Sequence, residues 1–183
     1  MTKTKKNKKS YLLTKEQIKI MKEKRKTKRK KYKGNKFPFR NITKQEALHD
    51  FFSLKNKKNL NPRSLLGNVL VNYGTEKARA KTKYRGKSHY EKWKDPFARK
   101  KVKEFAIRLL NGKYQGARDY FNSLKNAMEL QWGTVNSMRP AAALNFYRKY
   151  DANTILDFTA GWGSRMTAAL AGDFNYIGID SNK

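Results

Sequence analysis

Apolar residues recur at helical spacing through the middle of the chain and form strand-like runs only near its end. Between residues 37 and 131, apolar stripes spaced by three and four positions predict a small helical module of four helices. A capping-box pattern at Thr43-Lys44-Gln45-Glu46 precedes the first helix. The second is predicted from Asn61-Pro62 to Gly74, the third from Asp95-Pro96 to Gly112, and the fourth from about Ala117 to Leu130.

We interpret these stripes as the core of the module rather than as ligand-binding surfaces, because amphipathic helices bury their apolar face. The positions assigned to the core are Ala47, Leu48, Phe51, Phe52, Leu65, Leu66, Val69, Leu70, Tyr73, Phe97, Val102, Phe105, Ala106, Leu109 and Leu110. A further helix is predicted from Ala141 to Tyr150, with Pro140 at its first position and with Leu144, Tyr147 and Phe146 packing under a sheet.

The C-terminal segment combines two short apolar runs with a glycine turn and a helical stretch. Ile155 and Leu156 indicate a strand, and Gly161 and Gly163 allow a sharp turn and a close approach of backbone to a ligand. Residues 164–171 have helical composition, and residues 176–179 read as a second strand. The segment is therefore predicted to be a β-α-β unit.

Two acids in this segment indicate the kind of ligand. Asp180 follows Gly161 at close to the spacing of roughly 20 residues at which a carboxylate accepts the ribose hydroxyls of a nucleoside. Met166 stands where a dinucleotide fingerprint needs a small residue, which disfavours NAD. Asp157, at the end of the first strand, would face a cationic amino group, which S-adenosylmethionine has and a pyrophosphate lacks. A different nucleotide-binding domain and an accidental strand-turn-helix remain the alternatives.

A resemblance to a known family rests on residues 157–163, which read Asp157-Phe158-Thr159-Ala160-Gly161-Trp162-Gly163. They resemble the D-P-F-x-G-x-G signature of S-adenosylmethionine-dependent DNA methyltransferases of the amino-methylating type, with Phe158 at the proline position. The resemblance implies an α-helical basic N-terminal region followed by the start of a Rossmann-like α/β domain. It also implies that S-adenosylmethionine is bound by Pro140, Asp157, Thr159, Gly161, Gly163 and Asp180.

The resemblance extends upstream through residues 132–150 to phage and large-DNA-virus proteins described as DNA methylases. In those proteins the segment before the first strand closes over the methionine end of the cofactor. The domain 132–183 would hold two strands of a sheet of about six, so we expect it to be incomplete and the chain alone to be inactive. Asp95-Pro96-Phe97 is the nearest string to the family's second motif, but it is better explained as a helix start, and no catalytic residue is assigned.

Charge is the second strong signal, because 44 Lys and Arg residues stand against 14 Asp and Glu, a net charge of +30. Nucleic acid, with DNA favoured over RNA, is the expected partner. Residues 1–36 are too charged to bury a core and are predicted to be a disordered arm, in which residues 15–31 could become helical on phosphates. A basic loop is predicted at residues 77–87. The assigned nucleic-acid contacts are Lys24, Arg25, Arg29, Lys30, Arg79, Lys81, Lys83 and Arg85.

Cysteine is absent, which excludes disulfides and thiolate chemistry and fits a reducing compartment. We expect an intracellular location, with the nucleus, a viral factory or a virion left open. His49 and His89 have no nearby ligand pattern, so no metal site is predicted, and no apolar run approaches the ~18 residues of a membrane span.

Three functions compete, and one of them, a nucleotide-responsive binding module, would need a completed sheet. The chain could be the N-terminal part of a nucleic-acid methyltransferase, with a second polypeptide completing its sheet. Alternatively it could be a non-enzymatic basic protein that packages or coats nucleic acid and keeps a Rossmann-like unit only as structure. The charge of the chain agrees with either function.

Overall fold

The computed structural model describes residues 35–84, 86–111 and 120–181, together with Glu16 and Lys19. Most of the predicted arm, the site candidates Lys24, Arg25, Arg29, Lys30 and Arg85, and the predicted helix end at Gly112 lie outside the described residues. The described part is mostly helical, with a short antiparallel hairpin and a two-stranded parallel sheet. In chain order its elements are α1 (Lys44–Lys55), α2 (Asn68–Lys81), β1 (Lys83–Tyr84), β2 (Lys87–Ser88), α3 (His89–Lys94), α4 (Pro96–Asn111), α5 (Tyr120–Trp132), α6 (Pro140–Lys149), β3 (Thr154–Asp157), α7 (Ser164–Gly172) and β4 (Asn175–Gly178).

The described residues form two compact units that do not follow a single cut in the sequence. Unit 1 contains residues 41–75 and 137–181, and unit 2 contains residues 35–40, 76–84, 86–111 and 120–136. Helix α2 contributes residues to both, since the boundary passes between Thr75 and Glu76. From the sequence, α1 is predicted to belong with the other helices of residues 37–131, whereas α1 contacts α7 in unit 1.

The core of unit 1 joins α1, α6 and α7 to one face of the parallel sheet. Leu54, Leu144 and the small residues Ala168 and Ala169 are fully buried, and Ile155 and Tyr176 pack against them from the two strands. Alanines on α7 allow α6 to approach it closely. Leu144 and Tyr147 are buried as predicted, but Phe146 is 57% exposed and packs against Tyr150 instead.

The core of unit 2 lies between α4 and α5, which pack along most of their lengths. Val102, Ala106, Leu124 and Ala127 are fully buried, and Trp93 of α3 and Phe37 complete the cluster. The prediction of burial is wrong for two residues of α4. Phe97 is 66% exposed and lies under the ammonium group of Lys101, and Leu110 is 37% exposed.

Local hydrogen bonds explain the helix starts that the sequence predicts correctly. Oγ1 of Thr43 accepts from the backbone N–H of Glu46 at 3.2 Å, and the Glu46 carboxylate accepts from the Thr43 N–H at 2.8 Å, which completes the predicted capping box. Oδ1 of Asp95 accepts from the N–H of Phe97 at 2.9 Å, and Pro96 is the first residue of α4. Pro140 is likewise the first residue of α6.

The predicted bounds of α2 are wrong at both ends. Asn61 accepts a hydrogen bond from the N–H of Arg63 at 2.8 Å and forms a turn, so Asn61-Pro62 does not begin the helix. The helix begins at Asn68, where the buried Asp50 of α1 accepts from the N–H groups of Val69 at 2.8 Å and Leu70 at 3.2 Å. It continues through Gly74 to Lys81.

Residues 77–84 and 86–88 are more regular than the predicted basic loop. Residues 77–81 form the last turn of α2, and β1 and β2 then pair as a short antiparallel hairpin. Ser88 and Glu91 form a further capping box, which begins the unpredicted helix α3. Helix α5 runs from Tyr120 to Trp132, so it ends two residues beyond the predicted Leu130.

Strands β3 and β4 are parallel neighbours, with Ile155 opposite Tyr176 and Asp157 opposite Gly178. Helix α7 connects them, so the predicted strand-helix-strand order is confirmed. The opposite face of this sheet presents Leu156 and Ile177, which are 52% and 54% exposed. Among the helices described here, none is long and apolar enough to cross a membrane.

Candidate functional site

The glycine turn lies at the carboxyl edge of the parallel sheet, between the end of β3 and the start of α7. Gly161 and Gly163 have φ angles of 55° and 74°, a conformation that side chains disfavour. Gly163 is the residue before the first turn of α7, and no side chain caps that helix start. The turn therefore brings bare backbone to the N-terminus of a helix, where the helix dipole favours negative charge.

Asp157, the last residue of β3, organises the turn through three hydrogen bonds. Its Oδ2 atom accepts from Nε of Arg165 at 2.6 Å and from the hydroxyl of Tyr176 at 2.6 Å, and its Oδ1 atom accepts from the N–H of Thr159 at 3.2 Å. Arg165 also donates to the carbonyl and hydroxyl oxygens of Thr159. The carboxylate is buried and is therefore held by the protein itself.

These contacts change the protonation of the cluster. Burial of Asp157 opposes its charged form, but the hydrogen bonds from Arg165, Tyr176 and Thr159 outweigh burial and lower its pKa below the usual value. Burial and the hydrogen bond to Asp157 raise the pKa of Tyr176 well above the ordinary value. At neutral pH, Asp157 is charged and Tyr176 is neutral, so the tyrosine is the donor.

Asp180 closes the same edge of the sheet from the end of β4. Its Oδ2 atom accepts from the N–H of Gly161 at 2.5 Å, and the backbone pairs Ala160 with Ile179 and Ile179 with Asp157 next to it. The side chain of Asp180 is exposed. The structure therefore brings together Asp157, Thr159, Gly161, Gly163 and Asp180, which the sequence assigned to one site.

The segment before α6 reaches the same helix start. The hydroxyls of Ser137 and Ser164 are hydrogen bonded, which places Ser137 at the first residue of α7. Pro140 has a different environment, because it is buried close to Leu54 and Gly67. Sequence reasoning missed Ser137 and Arg165, and the only available signal was that Arg165 follows the glycines by less than one helical turn.

The predicted nucleic-acid contacts that lie in the described residues differ in their exposure to solvent. Lys81, at the end of α2, and Lys83, on β1, are exposed. Arg79, in the last turn of α2, is half-buried and lines a cleft in unit 2. The nucleic-acid contact assigned to Arg79 stays a prediction.

Comparison with known proteins gives no relative from which a role could be transferred. No protein-family model matches the chain, no curated protein matches it, and no solved structure matches it. In residues 35–84, 86–111 and 120–181, no group of three or more His, Asp or Glu side chains is placed to hold a metal ion.

Proposed function

We propose that unit 1 binds S-adenosylmethionine as the beginning of a Rossmann-like methyltransferase domain, and that the basic parts of the chain bind nucleic acid, DNA in preference to RNA. The observation that carries the proposal is the contact between Gly161 and Asp180. It brings the glycine turn and the predicted ribose-binding acid together at the carboxyl ends of parallel strands, where open α/β sheets bind their ligands.

The residues present fit such a ligand in three respects. Asp180 is exposed, so ribose hydroxyls can reach its carboxylate. The uncapped start of α7 after Gly163 suits the carboxylate of the methionine moiety. The hydroxyl of Tyr147 is buried with no hydrogen-bond partner in the described part of the chain, and the charges of Asp157 and Arg165 act on it.

Asp157 fits in a different role from the one that its position in the sequence indicated. Its three hydrogen bonds to the protein make it a positioning residue, which fixes Arg165 and the backbone at Thr159. When bound, S-adenosylmethionine would supply an electrophilic methyl group. The chain's own contribution, in this proposal, is to hold the nucleoside and the methionine end at the edge of the sheet.

The cofactor proposal is tested by calorimetry with the 183-residue chain and S-adenosylmethionine. Asp180→Asn should weaken binding by at least about tenfold, since each hydrogen bond to a charged group contributes about 1.5 to 3 kcal/mol. Gly163→Val should also weaken it by filling the turn. Asp151→Asn is the matched control, because Asp151 is exposed and precedes β3 at the opposite edge of the sheet. Equal losses in all three variants, or tighter binding of NAD, would contradict the proposal.

The nucleic-acid proposal rests on the net charge of +30 and is tested by the salt dependence of binding to duplex DNA. The logarithm of affinity should fall linearly with the logarithm of salt concentration, by roughly 0.9 per neutralised phosphate. Replacing Lys24, Arg25, Arg29 and Lys30 with Gln should weaken binding on every sequence and flatten this slope. Replacing the exposed Lys44, Lys57, Lys58 and Lys100 with Gln removes the same charge and should change binding less. An affinity independent of salt would refute the proposal.

The alternative function, a non-enzymatic packaging protein, is favoured by the same charge and makes a different prediction. It expects salt-dependent DNA binding with no measurable affinity for S-adenosylmethionine. The two titrations together therefore distinguish the two functions.

A further inference from the structure

A cleft in unit 2 contains more positive than negative charge. It has a volume of about 60 Å³, several times the roughly 10 to 15 Å³ that one water molecule needs. Phe37, Ala80, Met128 and Val135 provide apolar walls. Its ionisable lining residues are Arg40, Glu76, Arg79, His89, Lys125 and Glu129.

Glu76 is the centre of this charged group. Its Oε1 atom accepts from Nη1 of Arg40 at 3.0 Å and from Nζ of Lys125 at 2.8 Å, and its Oε2 atom accepts from the backbone N–H of Arg40 at 2.8 Å. The side chains of Glu76 and Lys125 are 9% and 10% exposed. The buried carboxylate is thus already engaged by two cations.

Burial changes the proton binding of the basic side chains in the cleft. Burial lowers the pKa of Lys125 to about 8, although Glu76 opposes the change. Burial, and then the charge of Arg40, lower the pKa of Arg79. Burial also lowers the pKa of His89, whose Nε2 atom lies 2.7 Å from the carbonyl oxygen of Gly133, so His89 is neutral at neutral pH.

Among the lining residues, Arg40, Arg79 and Lys125 carry three positive formal charges. Glu76 and Glu129 carry two negative charges, so the lining has a net charge of one positive. Glu129 is exposed at the rim and is screened by water. Glu76 accepts a hydrogen bond from one guanidinium N–H of Arg40 and from one of the three N–H donors of Lys125. The other N–H donors of Arg40 and Lys125, together with the net positive charge of the lining residues, suit a small anion.

We propose that this cleft is a binding site for a phosphate-type oxyanion, held by Arg40, Arg79 and Lys125 around Glu76. The oxyanion could be a free phosphate or one phosphodiester of a nucleic acid, since both present the same tetrahedral oxygens. A singly charged phosphodiester would neutralise the excess charge. The free-phosphate form does not depend on the function proposed above, whereas the phosphodiester form deepens it.

The first test is calorimetric titration of the full chain with inorganic phosphate. We expect one site, weakened at least about tenfold by Arg79→Gln, because a charge-assisted hydrogen bond contributes that much or more. Arg108→Gln is the matched control, since Arg108 is exposed on α4 in the same unit, is not a lining residue of the cleft, and loses the same charge. Equal weakening in both variants, or no saturable binding, would overturn the proposal.

A second measurement uses the unaltered protein and does not depend on the folding of a variant. Sulfate has the same tetrahedral oxygens and does not titrate near pH 8. Because burial lowers the pKa of Lys125 to about 8, an adjacent anion should raise that pKa and make the protein take up a fraction of a proton per sulfate bound at pH 8. Calorimetry in two buffers of different ionisation enthalpy measures this uptake. Sulfate binding without proton uptake would overturn the proposal.

Competition then identifies the source of the oxyanion. If Arg79→Gln weakens duplex DNA binding more than Arg108→Gln, and if phosphate displaces DNA from the unaltered chain but not from Arg79→Gln, the occupant is a phosphodiester. If phosphate binds in the cleft while both variants bind DNA equally, the occupant is a free phosphate. Failure of the cofactor titration affects neither outcome.

Discussion

The hydroxyl of Tyr176 lies 2.6 Å from Oδ2 of Asp157, so the second residue of β4 is hydrogen bonded to the last residue of β3. The two residues are on adjacent parallel strands but are not opposite each other in the pairing, since Tyr176 lies opposite Ile155. The side-chain bond therefore runs diagonally across the sheet towards its carboxyl edge. It couples the pairing of the strands to the shape of the glycine turn.

We predict that Tyr176 ionises well above the ordinary tyrosine range. Burial, and then the hydrogen bond to the charged Asp157, raise its pKa. Absorbance at the phenolate band should therefore show the same rise near pH 10 in the native wild type and in native Tyr176→Phe. In urea every tyrosine ionises near pH 10, so the rise in absorbance should be larger for the wild type by the contribution of one of its ten tyrosines. A smaller native rise in the variant near pH 10 would contradict the prediction.

Arg165→Met should destabilise unit 1 by about 2 kcal/mol at pH 7, because it leaves a buried carboxylate with one fewer charged donor. The folded-state pKa of Asp157 is lowered, so its stabilising contribution is present above the unfolded pKa of about 3.9 and is lost as pH falls through the lower folded value. The difference between wild type and variant in urea denaturation should therefore shrink on acidification. The exposed Arg63→Met should change stability by less than about 0.5 kcal/mol. A difference that does not vary with pH would argue against the Arg165 contact.

The stability of the wild type should rise with pH relative to Lys125→Met. The pKa of Lys125 is about 8 in the folded protein and about 10.5 when unfolded, so between these values the unfolded chain binds more protons. The difference in unfolding free energy should change by on the order of 2 kcal/mol between about pH 8 and about pH 10, at roughly 1.4 kcal/mol per pH unit. Denaturation at several pH values measures it. Parallel pH profiles for the two proteins would mean that Lys125 is not desolvated.

Two glycines near and within α2 should respond oppositely to alanine. Gly67 has a φ of 87°, and a Cβ there would lie 2.6 Å from Cβ of Pro140, so Gly67→Ala should cost about 2 kcal/mol or more. Gly74 lies inside the helix with nothing within 4 Å of an added Cβ, so Gly74→Ala should stabilise by about 0.5 to 1 kcal/mol. Thermal unfolding of both variants gives the comparison. Similar effects of the two substitutions would contradict the packing at Gly67.

The sequence predicts what is decided by near neighbours along the chain. Thr43 with Glu46, Asp95 with Phe97, and the order of β3, α7 and β4 all depend on contacts within about 20 residues, and each prediction is confirmed. The same holds for the meeting of Gly161 and Asp180 at one edge, since a strand, a turn, a helix and a parallel strand leave few other arrangements.

Features decided by distant residues could not be predicted. The start of α2 depends on Asp50 of another helix and on the packing of Gly67 with Pro140, so the local turn signal at Asn61-Pro62 was misleading. The cleft depends on Glu76 meeting Arg40 and Lys125, which are 36 and 49 residues away in the sequence. Nothing in the local pattern distinguishes Lys125 from the many solvated lysines of this chain.

Helix α2 depends on α1 for its first turn, and this has a consequence for the order in which the chain folds. Because the amides of Val69 and Leu70 donate to Asp50, that turn has its full set of partners only after α1 is in place. Exchange of these two amide hydrogens with solvent therefore reports on the undocking of α1, a helix to which neither amide belongs. In kinetic terms, α1 and the start of α2 form one cooperative unit.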